Sequence, residues 1–252
     1  METIGLIAAM TQESDAVLRC VKGWKRIAMG PFSGKSFILS GQICLLITSG
    51  MGIRRASEAA RNLVEMNIPR MLISFGIAGA VEAVLQIGDV ITVDAVCRLE
   101  QQVRGPLLPL APWSVAAQEA AVRVLSKRGA RLWSGTAVTT KGSQVDEEPL
   151  KKLKHPILEM ETAGIAQVAA SNKIPILSLR AISDGPRDPI PFDLGEMMDE
   201  DANLQAGRLL RTIIRHPRII LQSRRLMRNT RIASDNAAIA LIAALSQMIL
   251  EF

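Results

Sequence analysis

The chain has 252 residues, 48% of them apolar, three cysteines and a net charge of +6, which is enough apolar material for one large buried core. Cys20, Cys44 and Cys97 are far apart, odd in number and match no metal-ligand spacing, so a disulfide framework and a zinc site are both excluded and reduced thiols are expected. No apolar run reaches the roughly 18–20 residues of a membrane span, and the start carries Glu2 and no basic segment, so a cytoplasmic location is expected.

The hydrophobic pattern predicts a buried strand over 3–9 and a helix over 12–22, with Thr11 as its cap. Strands near 36–48, a helix over 53–66 and strands over 70–75 and 89–94 follow. The Pro-rich stretch 105–112 reads as a surface crossing. Beyond it come a helix over 113–128, strands over 133–138 and 156–160, a helix over 161–172, a strand over 175–183 and a helix over 194–215. A final apolar helix is expected from Ala237 to Leu250, capped by Ser234. Alternating strands and helices with no linker or repeat point to one α/β unit, a three-layer α/β/α sandwich.

Three carboxylates fall where predicted strands end. Arg180-Ala181-Ile182-Ser183-Asp184 follows the apolar run Pro175–Leu179, so Asp184 stands at the carboxyl end of a buried strand. Open α/β sheets bind ligands there. A partly desolvated carboxyl group at that edge can keep a proton near neutral pH and donate it. The competing reading is a turn aspartate, favoured by the Gly-Pro that follows. Glu161 lies at the junction of strand 156–160 and its helix, and can accept two hydrogen bonds from vicinal hydroxyls. It could equally complement the helix dipole. Glu13 falls in the first turn after strand 3–9, either as a third carboxylate of the same edge or as part of a capping box.

These stretches resemble the nucleoside phosphorylase and nucleosidase superfamily, in particular its methylthioadenosine/S-adenosylhomocysteine nucleosidase type. The matching segments are Ile4–Glu13, Ser49-Gly50-Met51-Gly52, Phe75–Gly79 with Ile87–Val90, Glu159-Met160-Glu161 and Arg180–Asp184, in the family's order. The resemblance implies a mixed central sheet, a homodimer and a set of roles. Asp184 would protonate N7 of a departing purine, with Ser183 orienting it. Met160 would pack on the sugar, Glu161 would grip the ribose hydroxyls, and Glu159 belongs to the same substrate-binding segment. Glu13 would position or deprotonate an attacking water. Ile77, Ala78, Gly79, Met51 and Gly52 would bring backbone amides and small side chains to the base and the nucleophile. A protonated aspartate at 184 suits a 6-amino purine, so adenine is the expected base. Acid and carboxylates need neither metal nor organic cofactor, and phosphate is the one co-substrate left open.

The nucleophile divides the readings. Arg54 and Arg55 follow the Gly50–Gly52 turn and could hold a phosphate dianion, although solvated arginines at a helix start are slightly favoured. The first loop, Met10 to Asp15, has no arginine, where phosphorylases of this superfamily often place one. That leans towards water.

The chain also departs from the family at residues 139–145, which carry no aromatic to stack on a purine. A third departure is the tail. From Leu204 onward it holds eight arginines, two acids and no lysine, so the whole net charge resides there. Residues 1–203 are therefore expected to form the catalytic domain and 204–252 an Arg-rich helical extension packed on it. Apolar residues interleave with the arginines in an amphipathic helical pattern. A solvated or dimer-contacting face is the first reading, a peripheral contact with the inner membrane surface the second, and nucleic acid is disfavoured by 3% aromatics. Pro189-Ile190-Pro191 and the Arg-rich extension are similar to the hopanoid-associated phosphorylases, which implies a lipid-linked adenine nucleoside as substrate. A methylthioadenosine-type nucleosidase and a non-catalytic nucleoside-binding relative are the alternatives.

Overall fold

The computed structural model describes residues 3–142, 145–189 and 219–248, with side chains of the last segment from residue 224. Its strands are β1 (Thr3–Ala8), β2 (Lys25–Met29), β3 (Phe32–Leu39), β4 (Gln42–Thr48), β5 (Met71–Ala80), β6 (Val90–Glu100), β7 (Val103–Arg104), β8 (Leu108–Pro109), β9 (Leu132–Thr139), β10 (Ile157–Glu159) and β11 (Ile176–Asp184). Its helices are α1 (Thr11–Cys20), α2 (Ile53–Asn67), α3 (Val115–Ser126), α4 (Thr162–Ser171) and α5 (Ile219–Met248). The strands form one mixed sheet in the order β10-β9-β6-β11-β5-β1-β4-β3-β2.

The central strands are parallel and buried on both faces. Along β1, Ile4, Leu6 and Ala8 enter one core with residues of α1, α3 and α5, while Ile7 enters a second core with α2 and α4. This period of two on a doubly covered sheet produces the three layers expected from the sequence. At one end the sheet bends round: β10 pairs in parallel with β9 and antiparallel with β5, so β5, β11, β6, β9 and β10 close into a ring. That closure wraps the carboxyl ends of β5, β10 and β11 around one space.

Several boundaries differ from expectation for physical reasons. The region near 36–48 is a hairpin of β3 and β4, turned by Ser40 and Gly41, both at positive φ. The strand β2 escaped notice because most of KRIAM is exposed and only Met29 is buried. The strand β5 runs on past its expected end at residue 75, through Gly76-Ile77-Ala78-Gly79 to Ala80. The Pro-rich crossing gives two residues, Leu108 and Pro109, that pair with β6. The α1 cap is Met10, not Thr11.

The carboxyl-terminal correction is larger. Ser234 caps nothing; it lies 1% exposed inside α5, which runs unbroken from Ile219 to Met248 with no glycine or proline. Ala233, Ala237, Ala240, Leu241, Ala244 and Leu245 belong to the same core as β1, β5 and β11. Small residues let α5 approach α3, α1 and β11 closely. The expected helix over 194–215, and the boundary at 203/204, lie outside the described residues. Since Leu241 is fully buried, Leu241→Ala is expected to cost about 2–5 kcal/mol in urea unfolding. A cost below about 1 kcal/mol would mean that α5 does not complete this core.

Candidate active site

Glu13 enters the space at the sheet edge because α1 starts two residues after β1. Its side chain is 1% exposed, and two backbone N–H groups donate to it: Met10 to Oε2 at 2.8 Å and Ile77 to Oε1 at 2.9 Å. The first bond is the capping-box half anticipated above; the second ties the carboxylate to β5. Gly76, at φ 154°, makes this approach feasible, because a Cβ there would collide with the Glu13 carboxylate and come within 2.9 Å of the Arg180 guanidinium.

Glu161 sits at the amino end of α4. Its Oε1 accepts the Gly52 N–H at 2.9 Å. Gly52 caps α2 at φ 97°, a conformation open to glycine, and this turns its N–H towards Glu161. Asp184 closes β11. A bulge between Ile182 and Asp184 makes Ser183 an extra residue opposite β5 and sets Asp184 against Gly79. The Ser183 hydroxyl donates to Asp184 Oδ1 at 2.6 Å.

At the centre lies Arg180, whose role was not anticipated. Among the described residues it is the largest fully buried side chain, 1% exposed. Its NH2 meets Glu159 Oε2 at 2.9 Å, Ser74 Oγ at 2.8 Å and Thr162 Oγ1 at 2.9 Å; its NH1 lies 3.5 Å from Glu161 Oε2. One guanidinium thus faces several carboxylates. Glu159, expected in the substrate-binding segment, lines the cavity and also makes bonds inside the protein. Oε2 accepts from the N–H groups of Glu161 and Thr162 as well as from Arg180, and Oε1 is engaged by the Thr139 hydroxyl. With both oxygens held internally, Glu159 positions Arg180 and the start of α4.

Burial governs the electrostatics. It pushes Glu13 above its ordinary value, opposed by Arg180 and by the backbone N–H bonds. Burial pushes Glu161 up to about 7, with Arg180 opposing and Glu159 and Glu13 adding. Asp184 is also raised by burial, opposed by its bond from Ser183. A carboxyl group in the state of Glu161 can store and release a proton near neutral pH.

Glu13, Ile77, Ala78, Gly79, Glu159, Met160, Glu161, Ser183 and Asp184 all line one cavity of about 660 Å³, within the usual size of small-molecule sites. Gly52 contributes through its N–H to Glu161. Arg54 and Arg55 are not among the lining residues. Arg54 is exposed and pairs with Glu58 at 2.8 Å, and the Arg55 side chain packs against Gly50. Among the described residues no aromatic side chain lines the cavity, whereas Met10, Met51, Met160 and Met227 do. Leu226, Met227 and Thr230 of α5 also form part of the wall. Nothing in the sequence marked them, since they lie some forty residues beyond Asp184.

This combination defines an α/β protein with a carboxylate-lined small-molecule site at its strand ends. The family model described as the phosphorylase superfamily matches residues 3–215, and the chain belongs to that superfamily. It is 28% identical over 214 residues to a 5′-methylthioadenosine/S-adenosylhomocysteine nucleosidase of Marinomonas sp. (strain MWYL1), covering 77% of this chain and 91% of the relative. It is 25% identical over 229 residues to the nucleosidase of that name from Haemophilus influenzae (strain PittEE), covering 84% and 99%. Among solved structures, the Colwellia psychrerythraea nucleosidase in complex with adenine aligns with a TM-score of 0.73 at 18% identity, over 98% of this chain and 95% of that one. The futalosine hydrolase of Helicobacter pylori aligns at 0.69 and 15%, over 98% of each chain.

Proposed function

We propose that the protein cleaves the N-glycosidic bond of a 5′-modified adenine nucleoside and releases adenine, with water as nucleophile. The observation that carries this is the placement of Asp184, Glu161 and Glu13 around one cavity with a single buried cation, Arg180, among the described lining and its neighbours. The names of the relatives, nucleosidases and a futalosine hydrolase, support the same chemistry.

Bond cleavage leaves negative charge on the base and oxocarbenium character on the sugar. Asp184, whose proton affinity burial raises, donates to N7 of the leaving adenine, and Ser183 orients its carboxyl group. Glu161 binds the ribose hydroxyls and, ionised, offsets the positive sugar. Met160 packs on the ribose. Glu13 holds the attacking water and takes its proton. These groups suffice without metal or cofactor. Water is favoured over phosphate because, among the described residues, the only guanidinium at the centre already faces Glu159 and Glu161, so a dianion would meet net negative charge. Arg54 and Arg55, the candidate phosphate ligands, do not line the cavity.

For the 5′ group, a long apolar substituent of the adenosyl-hopane kind is our reading, ahead of methylthioadenosine. A cavity walled by methionines, with no aromatic ring among its described lining residues, adapts to bulky apolar groups. A lipid-linked substrate would also give the Arg-rich tail a membrane to meet, and a homodimer remains our expectation for the assembly. The test is a panel of purified nucleosides. Adenine should appear from 5′-substituted adenosines, and hypoxanthine should not appear from inosine. Equal release of both bases would remove the argument from Asp184.

The carboxylates set a pH profile. Glu161 must be ionised to serve the sugar, so kcat/KM should fall as pH drops below about 7. Asp184 must be protonated, so the rate should fall again once pH rises above its raised value. Glu13, as the base, must be ionised too and is likewise raised by burial, so Glu161→Gln should shift the acid limb rather than abolish it, while the alkaline limb persists. An unchanged acid limb would assign it elsewhere.

A further inference from the structure

The first half of the described part of α5 carries a surface that the cleavage chemistry leaves unused. Arg224, Arg225, Met227, Arg228, Arg231 and Ile232 are exposed, Met227 at 62%. Arg224, Arg228 and Arg231 are spaced four and three residues apart and share one helical stripe, with Met227 beside them. Arg225 pairs with Asp188 at 3.0 Å, in the loop just after Asp184. Among the described residues no carboxylate pairs with Arg224, Arg228 or Arg231. The same turns present Leu226, Met227 and Thr230 to the cavity. Met227 is therefore both cavity wall and outer surface, which puts the basic stripe on the rim of the opening. Glu147 lies on the lining too, so the rim is not uniformly basic.

The stripe is held in a fixed orientation. Further along α5, Asp235 pairs with Arg19 at 2.5 Å, and Asn236 accepts from Arg128 Nε at 2.6 Å and donates to the Gly88 carbonyl at 2.8 Å. Beyond these contacts the helix is buried in the core.

We propose that this stripe docks on an anionic lipid bilayer and sets the cavity opening against the membrane surface. Guanidinium groups flanking exposed Met227 and Ile232 match phosphate headgroups above an apolar layer, the arrangement of interfacial basic helices. A nucleic acid would call for stacking rings beside the cations, and the exposed residues of this face include none. The docking surface stands independently of which bond is cleaved.

The experiment is co-sedimentation of the full chain with vesicles of phosphatidylcholine alone or mixed with phosphatidylglycerol. Wild type should bind the mixed vesicles, release them as salt rises, and leave the neutral ones free. The combined change Arg224→Glu, Arg228→Glu and Arg231→Glu should weaken binding roughly tenfold or more. Its circular dichroism and thermal midpoint would establish that it folds, and its adenine release from a small soluble nucleoside should match wild type. Wild type that ignores anionic vesicles, or binds both kinds equally, overturns the proposal, as does a folded variant that binds as well as wild type. Vesicle binding without adenine release would sink the glycosidic reading and leave the docking surface standing.

Discussion

Asp184→Asn is expected to lower kcat for adenine release by about 10²–10⁴-fold while changing nucleoside affinity little, the usual contribution of a general acid. The side chain closes β11 beside a bulge that carries Ser183 to the same cavity. Asparagine matches its shape and can accept the Ser183 hydroxyl bond, so the pocket should persist. What is lost is the proton. The alternative of a non-catalytic binding relative makes the opposite forecast: neither turnover nor affinity would move far. Stopped-assay kinetics together with calorimetric binding of an adenine nucleoside separate the two, because a binding defect appears in affinity and an acid defect in kcat.

Removing Arg180 should have the largest effect on stability at the site. Its guanidinium is 1% exposed and meets Glu159 at 2.9 Å and Glu161 at 3.5 Å, while its charge also opposes the burial of Glu13. Arg180→Met leaves these carboxyl groups buried without a counter-charge, which typically costs about 3–5 kcal/mol. The same charge holds Glu161 below the value that burial alone would impose. Its loss should therefore raise the proton affinity of the cluster and move the acid limb of the pH profile upward. Adding Glu159→Gln should recover part of the stability, since one buried charge is then gone. Chemical denaturation of both variants measures this coupling, and strictly additive costs would mean that the two side chains do not depend on each other.

The legible parts of the site were those at strand ends. Glu13, Glu161 and Asp184 each follow an apolar run too short for a buried helix, and a parallel sheet collects such positions at one edge. Arg180 stands in the Arg180–Asp184 segment without a legible role, because one charged residue inside an apolar strand has no periodicity to mark its partners. Its meaning depends on Ser74, Glu159 and Thr162, up to 106 positions away. Arg54 and Arg55 admit two readings in sequence, phosphate ligands or a solvated helix start, the second slightly favoured. A Gly-rich turn followed by arginines matches a phosphate site locally, but the first turn of α2 carries Arg54 outward to Glu58. The α5 wall was hidden by chain distance, and the five-strand ring depends on β10 pairing twice, which no local pattern encodes.

The most direct measurement of the central claim is adenine release from a 5′-substituted adenosine by the purified protein, with phosphate rigorously removed and then restored, and with the sugar product identified. Free adenine and an unphosphorylated sugar are expected at the same rate in both conditions. Adenine formed only when phosphate is present, together with a sugar 1-phosphate, would contradict water as the nucleophile. No adenine in either condition, from short or long 5′ substituents alike, would contradict the glycosidic reading itself.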